Sequence, residues 1–70
     1  MDQIIAKQEM QVERKRIIIE VRENTRGSFL RITEEAGGRR NAIIVPSPGL
    51  AEFTATIDEV LQQAGQTAMV

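Results

Sequence analysis

Arg22, Asn24, Arg26, Phe29 and Arg31 fall within a stretch of ten residues, and their types and spacing suit one chemistry. An aromatic ring on a sheet stacks an unpaired base, arginines neutralise phosphates or stack on bases, and an exposed asparagine reads a base edge. The same residues also fit a plainer arrangement, in which Phe29 belongs to a core or a dimer interface and the arginines are solubilising edge charges. Composition alone does not separate the two, because phenylalanine occurs only twice and tyrosine and tryptophan are absent.

Other chemistries find little material. There is no cysteine and no histidine, which removes thiolate nucleophiles, disulfides, the usual zinc ligands and every Ser-His or Cys-His arrangement. Neither a metal nor a cofactor is expected. Glu34 and Glu35 are adjacent, so on a strand they point to opposite faces and make a poor acid–base pair. Ser28 and Ser47 lack a base to activate them. Gly37-Gly38-Arg39-Arg40 has the composition of a basic loop that could touch a phosphate backbone. It lacks the Gly-Lys-Ser/Thr ending of a phosphate-binding loop, however, and reads as a hairpin turn. No enzyme constellation remains.

The elements that must position these residues are legible from periodicity. Ile17, Ile19 and Val21 alternate with Arg16, Ile18, Glu20 and Arg22, which predicts a strand over Arg16–Glu23. Ser28–Glu35 alternates again, with Leu30 and Ile32 on one side and Phe29, Arg31 and Thr33 on the other. Asn24–Gly27 is a turn between them, with glycine able to take positive φ at its end. Pairing Val21 with Leu30 and Ile19 with Ile32 keeps one face apolar, whereas a one-residue slip sets Arg31 opposite Val21 and mixes the faces. The pairing predicts a four-residue loop, a dry face bearing Ile19, Val21, Leu30 and Ile32, and an opposite face with Arg22 beside Phe29 and Glu20 beside Arg31.

After a second turn at Ala36–Arg40, Asn41–Val45 is a short apolar strand that Pro46 terminates. Ser47 is the expected N-cap and Pro48 the first residue of a helix carrying one stripe of Leu50, Phe53, Ile57, Val60, Leu61 and Ala64. Glu52, Asp58 and Glu59 lie outside the stripe. Gly65 suits the C-terminal cap, and Gln66–Val70 reads as a frayed tail. Ile4–Val12 is weakly patterned and fits strand or helix. The coarse expectation is an α+β chain, an antiparallel meander of three or four strands followed by one amphipathic helix.

With 70 residues the chain is one small domain, near the size at which unstapled domains gain buried area by oligomerising. The apolar residues of Ile17–Ile19 and Ala42–Val45 exceed what a one-faced sheet needs, which also points to a dimer. The formal net charge is -1 but unevenly spread. Arg14–Arg40 carries eight basic residues against four acidic ones, while Asn41–Val70 has acidic residues only. There is no signal-like or membrane-length apolar run, so a cytoplasmic location is expected.

Three segments carry a resemblance. Lys15-Arg16-Ile17-Ile18-Ile19-Glu20-Val21-Arg22-Glu23-Asn24, then Arg26-Gly27-Ser28-Phe29-Leu30-Arg31-Ile32, then Pro48-Gly49-Leu50-Ala51-Glu52-Phe53 are similar to the PUR repeat of the Pur-alpha family of purine-rich-element binding proteins. The likeness spans roughly Ile4 to Gly65 and runs without gaps through the hairpin. It implies a four-stranded antiparallel sheet followed by one C-terminal helix, with Ile4–Val12 as the first strand and Glu13-Arg14 as its turn. It also implies a homodimer of the single-repeat, bacterial type, Whirly-like when two repeats wrap round each other. Family function implies binding of single-stranded, purine-rich, often G-rich DNA or RNA.

By position, the resemblance assigns Arg22, Asn24, Arg26 and Phe29 to nucleic-acid contacts, and Arg31 shares their face. Arg14 joins the expected set, although Glu13-Arg14 departs from the polar pair that some members use there in base contacts. Ser28 replaces a usual basic residue after the loop glycine, and aromatics common at the positions of Ile17 and Ile18 are absent. Two function classes therefore stand side by side. One is a homodimeric single-stranded nucleic-acid binder. The other is a non-enzymatic interaction or dimerisation module whose basic sheet face meets an acidic partner.

Overall fold

The computed structural model describes residues 2–65, so the tail expected at Gln66–Val70 lies outside the described residues. Four strands run as β1 (Gln3–Val12), β2 (Lys15–Asn24), β3 (Gly27–Ala36) and β4 (Arg39–Pro46). They form one antiparallel sheet in sequence order. A 3-10 turn at Ser47–Gly49 leads into α1 (Leu50–Gln63). The α+β expectation holds, and the ambiguous Ile4–Val12 segment is a strand because β2 offers it a ladder from Gln3 to Val12, interrupted only at Ile5.

The β2–β3 register is the one that keeps apolar residues together. Val21 faces Leu30 and Ile19 faces Ile32, while Arg22 faces Phe29 and Glu20 faces Arg31 on the other side. The ladder runs one pair further than expected, to Asn24 opposite Gly27, so only Thr25 and Arg26 stand free. Gly27 takes φ +127° at the end of that loop, a conformation open to a residue without Cβ. At the other end of the sheet Gly37 and Gly38 take φ +57° and +79°. Positive φ at both central residues gives the turn the hand that matches strand twist, so it closes β3 onto β4 in two residues.

Two expectations are corrected. Ser47 does not cap the helix: Pro46 holds the cap position of the 3-10 turn and Gly49 that of α1, and neither makes a side-chain cap bond. Pro46 and Pro48 fix the entry as an extended residue followed by a tight turn, which places Ser47 inside the turn rather than ahead of it. The C-terminal end behaves as expected, with Gly65 at φ +73° and its amide bonded to the Gln62 carbonyl at 3.0 Å.

The second correction concerns the core. The face carrying Ile19, Val21, Leu30 and Ile32 is not dry within one chain: Ile19 is 39% exposed and Ile43, on the same face of β4, is 54% exposed. Among the described residues the buried ones are Ile18 (4%), Glu20 (3%) and Thr33 (0%), all on the arginine-bearing face of the two central strands. The reason is the path of α1. It meets the sheet chiefly at β4, the 3-10 turn before it lies against β3, and none of its residues is buried. The apolar face thus lacks a second layer. On the opposite face Arg16 bridges Glu9 and Glu35, and Arg22 bonds to Glu20, so ion pairs span the central strands there. A bulge in β1 between Ile4 and Ala6 adds local twist at the edge of that face.

Candidate nucleic-acid interface

The arginine-bearing face is assembled by strand alternation, since every second residue of each strand projects to it. Reading across at one end, Ile4, Arg22, Phe29 and Pro46 form a row of successive partners on β1 to β4. The next row is Lys7, Glu20, Arg31 and Ile44. Phe29 is half-buried, flanked by Arg22 on one strand and Pro46 on the other. Ile44 and Pro46 are exposed and extend the apolar ground around the ring. Sequence reading missed these two, because their neighbours depend on the β3–β4 register, which the two-glycine turn sets.

The charged residues of this face are not equally available. Arg22 bonds to Glu20 Oε2 through Nη2 at 2.9 Å and Nε at 3.3 Å, and its other terminal nitrogen lies 3.7 Å from Asp2. Glu20, although buried, is therefore held by a charge-assisted fork from its own strand. Its i, i+2 spacing from Arg22 is the signal that could have revealed the pair. Arg31 makes no ion pair among the described residues, and its buried Nε lacks a hydrogen-bond partner, as does the hydroxyl of Thr33 two residues on. Arg26 is exposed at the tip of the loop and also without a carboxylate partner among the described residues.

Asn24 shapes that loop. Its Oδ1 accepts the Arg26 backbone amide at 2.8 Å, closing an Asx turn, and its Nδ2 donates to Asp2 at 3.4 Å. The carbonyl end of the side chain is thus committed to the loop, which aims Arg26 outward. Phe29, Arg22, Arg31, Asn24 and Arg26 are brought together at one end of the sheet. Arg14 is not among them. It sits in the β1–β2 turn at the opposite end, ten residues of strand from Asn24, a separation of about 33 Å at strand rise.

Between the two ends the face is pinned by ion pairs. Arg16 bonds to Glu9 at 2.6 Å and to Glu35 at 3.2 Å, joining β1, β2 and β3. The Arg16 hydrogen bond is the main cause that holds the Glu9 carboxyl below its ordinary value, and Glu9 in turn raises Arg16. On the other face Glu34 binds Lys15 at 2.8 Å and raises its pKa.

Residues 2–69 match the family described as PurA ssDNA and RNA-binding protein. The chain belongs to the PurA family. It is also 38% identical over 53 residues to the transcription factor Pur-alpha 1 of Arabidopsis thaliana. That match takes in 76% of this chain but 18% of the relative, so the chain spans less than a fifth of that protein's length. For a PurA-family sheet the arrangement is chemically coherent: one aromatic, apolar ground beside it, and arginines within one or two rows. No helix among the described residues is long and apolar enough to cross a membrane.

Proposed function

We propose that the chain is a homodimeric, cytoplasmic, non-enzymatic binder of single-stranded, purine-rich DNA or RNA. Phe29 is the stacking platform, Arg22, Arg26 and Arg31 contact phosphates, and the Asn24 amide reads a base or sugar edge at the loop. The observation that carries this reading is the row Arg22–Phe29–Pro46 with unpaired Arg31 beside it. It sets a π-face beside Arg31, whose charge no carboxylate among the described residues pairs, in a chain of the PurA family. Stacking of a base on an aromatic contributes about 1–3 kcal/mol, and purines offer the larger stacking area.

Surface area supports the homodimer. The chain exposes 5796 Å², against about 4,400 Å² for a compact monomer of this mass. Its radius of gyration is 13.9 Å, against about 11 Å for a compact domain of this length. The excess is on the order of 1,000 Å² per chain, which for two chains falls in the range of obligate dimers. The uncovered side chains have the right chemistry: Met10, Val12, Ile19 and Ile43 on the sheet, and Ile57, Val60 and Leu61 on α1. An exposed apolar stripe on each helix and an exposed apolar sheet face on each partner are mutually complementary.

The test is a salt titration of binding to fluorescent G-rich and pyrimidine single strands, with the wild type and Phe29→Ala. Expected are tighter purine binding, a loss of about tenfold on Phe29→Ala with the fold retained, and a log–log salt slope of roughly -2 to -3.5 for three to five phosphate contacts. Equal and Phe29-independent binding to both strands would instead favour a basic face that meets an acidic protein partner. Unfolding of Phe29→Ala would assign Phe29 to the core.

A further inference from the structure

At the end of the sheet remote from Phe29, Arg14, Arg16, Arg39 and Arg40 line an open cleft around Gly37 and Gly38, with Glu35 as the one carboxylate among its lining residues. Arg39 and Arg14 are exposed and make no ion pair among the described residues. The nearest approach of Arg40 to Glu35 is from Nε, at 3.4 Å, and its terminal nitrogens make no hydrogen bond among the described residues. Glu9 is paired with Arg16 and Lys7, and Glu35 with Arg16 and Arg40, so neither nearby carboxylate faces an incoming anion uncompensated. The turn itself is bare, since nothing lies within 4 Å of where a Cβ would stand on Gly37 or Gly38. On the other side of the cleft, the β1–β2 turn is steadied by a 3.1 Å bond from the Gln11 side chain to the Glu13 carbonyl.

We infer that Arg14, Arg39 and Arg40 form a second phosphate site, which takes the backbone of the same single strand that stacks on Phe29. This rests on the nucleic-acid reading above. Three exposed guanidiniums around a glycine turn suit a phosphodiester, which needs charge and forked donors but no shaped pocket. Arg40 and Glu35 lie on the same face as Phe29 and Arg31, so a strand laid along β3 reaches Arg40 without leaving that face, while Arg39, opposite Ala36, alternates to the other side and meets the strand at the turn. β3 spans about 30 Å at strand rise, or about nine stacked nucleotides at roughly 3.4 Å each and fewer when stretched. The inference therefore turns one stacking site into a track with a minimum ligand length.

The experiment compares a short G-rich strand of about 4 nucleotides with a longer one of about 12, spanning the range of site sizes known for sheet-based binders. The variants are Arg39→Gln/Arg40→Gln, the charge-retaining Arg39→Lys/Arg40→Lys, and Phe29→Ala. Expected for the Gln pair is a salt slope on the longer strand shallower by about 1.4, two single-strand contacts, with binding of the short strand unchanged. The Lys pair should keep the slope, and Phe29→Ala should weaken both strands. If the Gln pair melts early, Arg39→Gln alone, which breaks no ion pair, should still lower the slope by about 0.7. An unchanged slope on the longer strand, or an equal loss on both strands, overturns the second site while leaving the Phe29 site standing. Failure of the wild type to bind either strand overturns both.

Discussion

Arg31 stands directly opposite Glu20 across the β2–β3 ladder, yet the Glu20 carboxylate bonds to Arg22 on its own strand at 2.9 Å. One buried carboxylate thus lies between two arginines of the proposed binding face and satisfies only one. Arg31 keeps a buried, unpartnered Nε. A buried donor without an acceptor costs about 1–3 kcal/mol, a penalty that a ligand oxygen recovers only where the Arg31 side chain turns its Nε out to meet it.

A phosphate that recruits Arg22 must compete with Glu20 for the same guanidinium. Glu20→Gln removes the competing charge while preserving shape. The expected result is tighter binding at low salt and a slope steeper by about 0.7, one additional phosphate contact. Fluorescence anisotropy across a salt series measures both. A folded variant whose affinity and slope match the wild type would mean that Arg22 stays with Glu20 in the complex.

The helix stripe gives a test of assembly. Leu61 is exposed in the single chain, and a homodimer that covers it gains about 2 kcal/mol from its burial. Leu61→Glu should shift sedimentation from dimer to monomer and lower the melting temperature, and Leu61→Ala should do so partially. A wild type that sediments as a monomer at every concentration, with Leu61→Glu melting alongside it, would remove the homodimer.

Acid stability follows from Glu9. Its folded pKa lies below the ordinary 4.5, chiefly through the hydrogen bond from Arg16. A depressed carboxylate contributes stability that is complete above the unfolded value and disappears as pH falls through the folded one. Wild type should therefore exceed Glu9→Gln in stability at neutral pH, with the gap closing as pH drops below about 4.5. Urea melts at several pH values measure it, and a gap that is constant down to strongly acid pH would show that the pair contributes through shape, not charge.

Much of this molecule is written in its side-chain alternation. The β2–β3 register was legible because Ile19, Val21, Leu30 and Ile32 tolerate only one pairing without setting Arg31 against Val21. The placement of Arg22 beside Phe29 followed from the same constraint. The stripe from Leu50 to Ala64 and the glycine after it defined a helix and its end without any tertiary information.

Other features needed the assembled chain. Ile4–Val12 has no strong period, and its strand conformation is decided by β2, which supplies hydrogen-bond partners along its length. Ile44 and Pro46 join the Phe29 surface because a two-glycine turn fixes how β4 lies on β3. Arg14, close in sequence to Arg22, sits at the opposite end of the sheet because most of the length of β2 lies between them. Sidedness was the largest surprise. Alternation tells which side chains are apolar but not what covers them, and the path of α1 away from the sheet leaves Ile19 and Ile43 open while Glu20 and Thr33 are buried. The amino-acid sequence determined the elements and their pairing because those depend on local conformation and neighbouring strands. Only the tertiary structure decided which face is covered, because burial depends on where the helix goes.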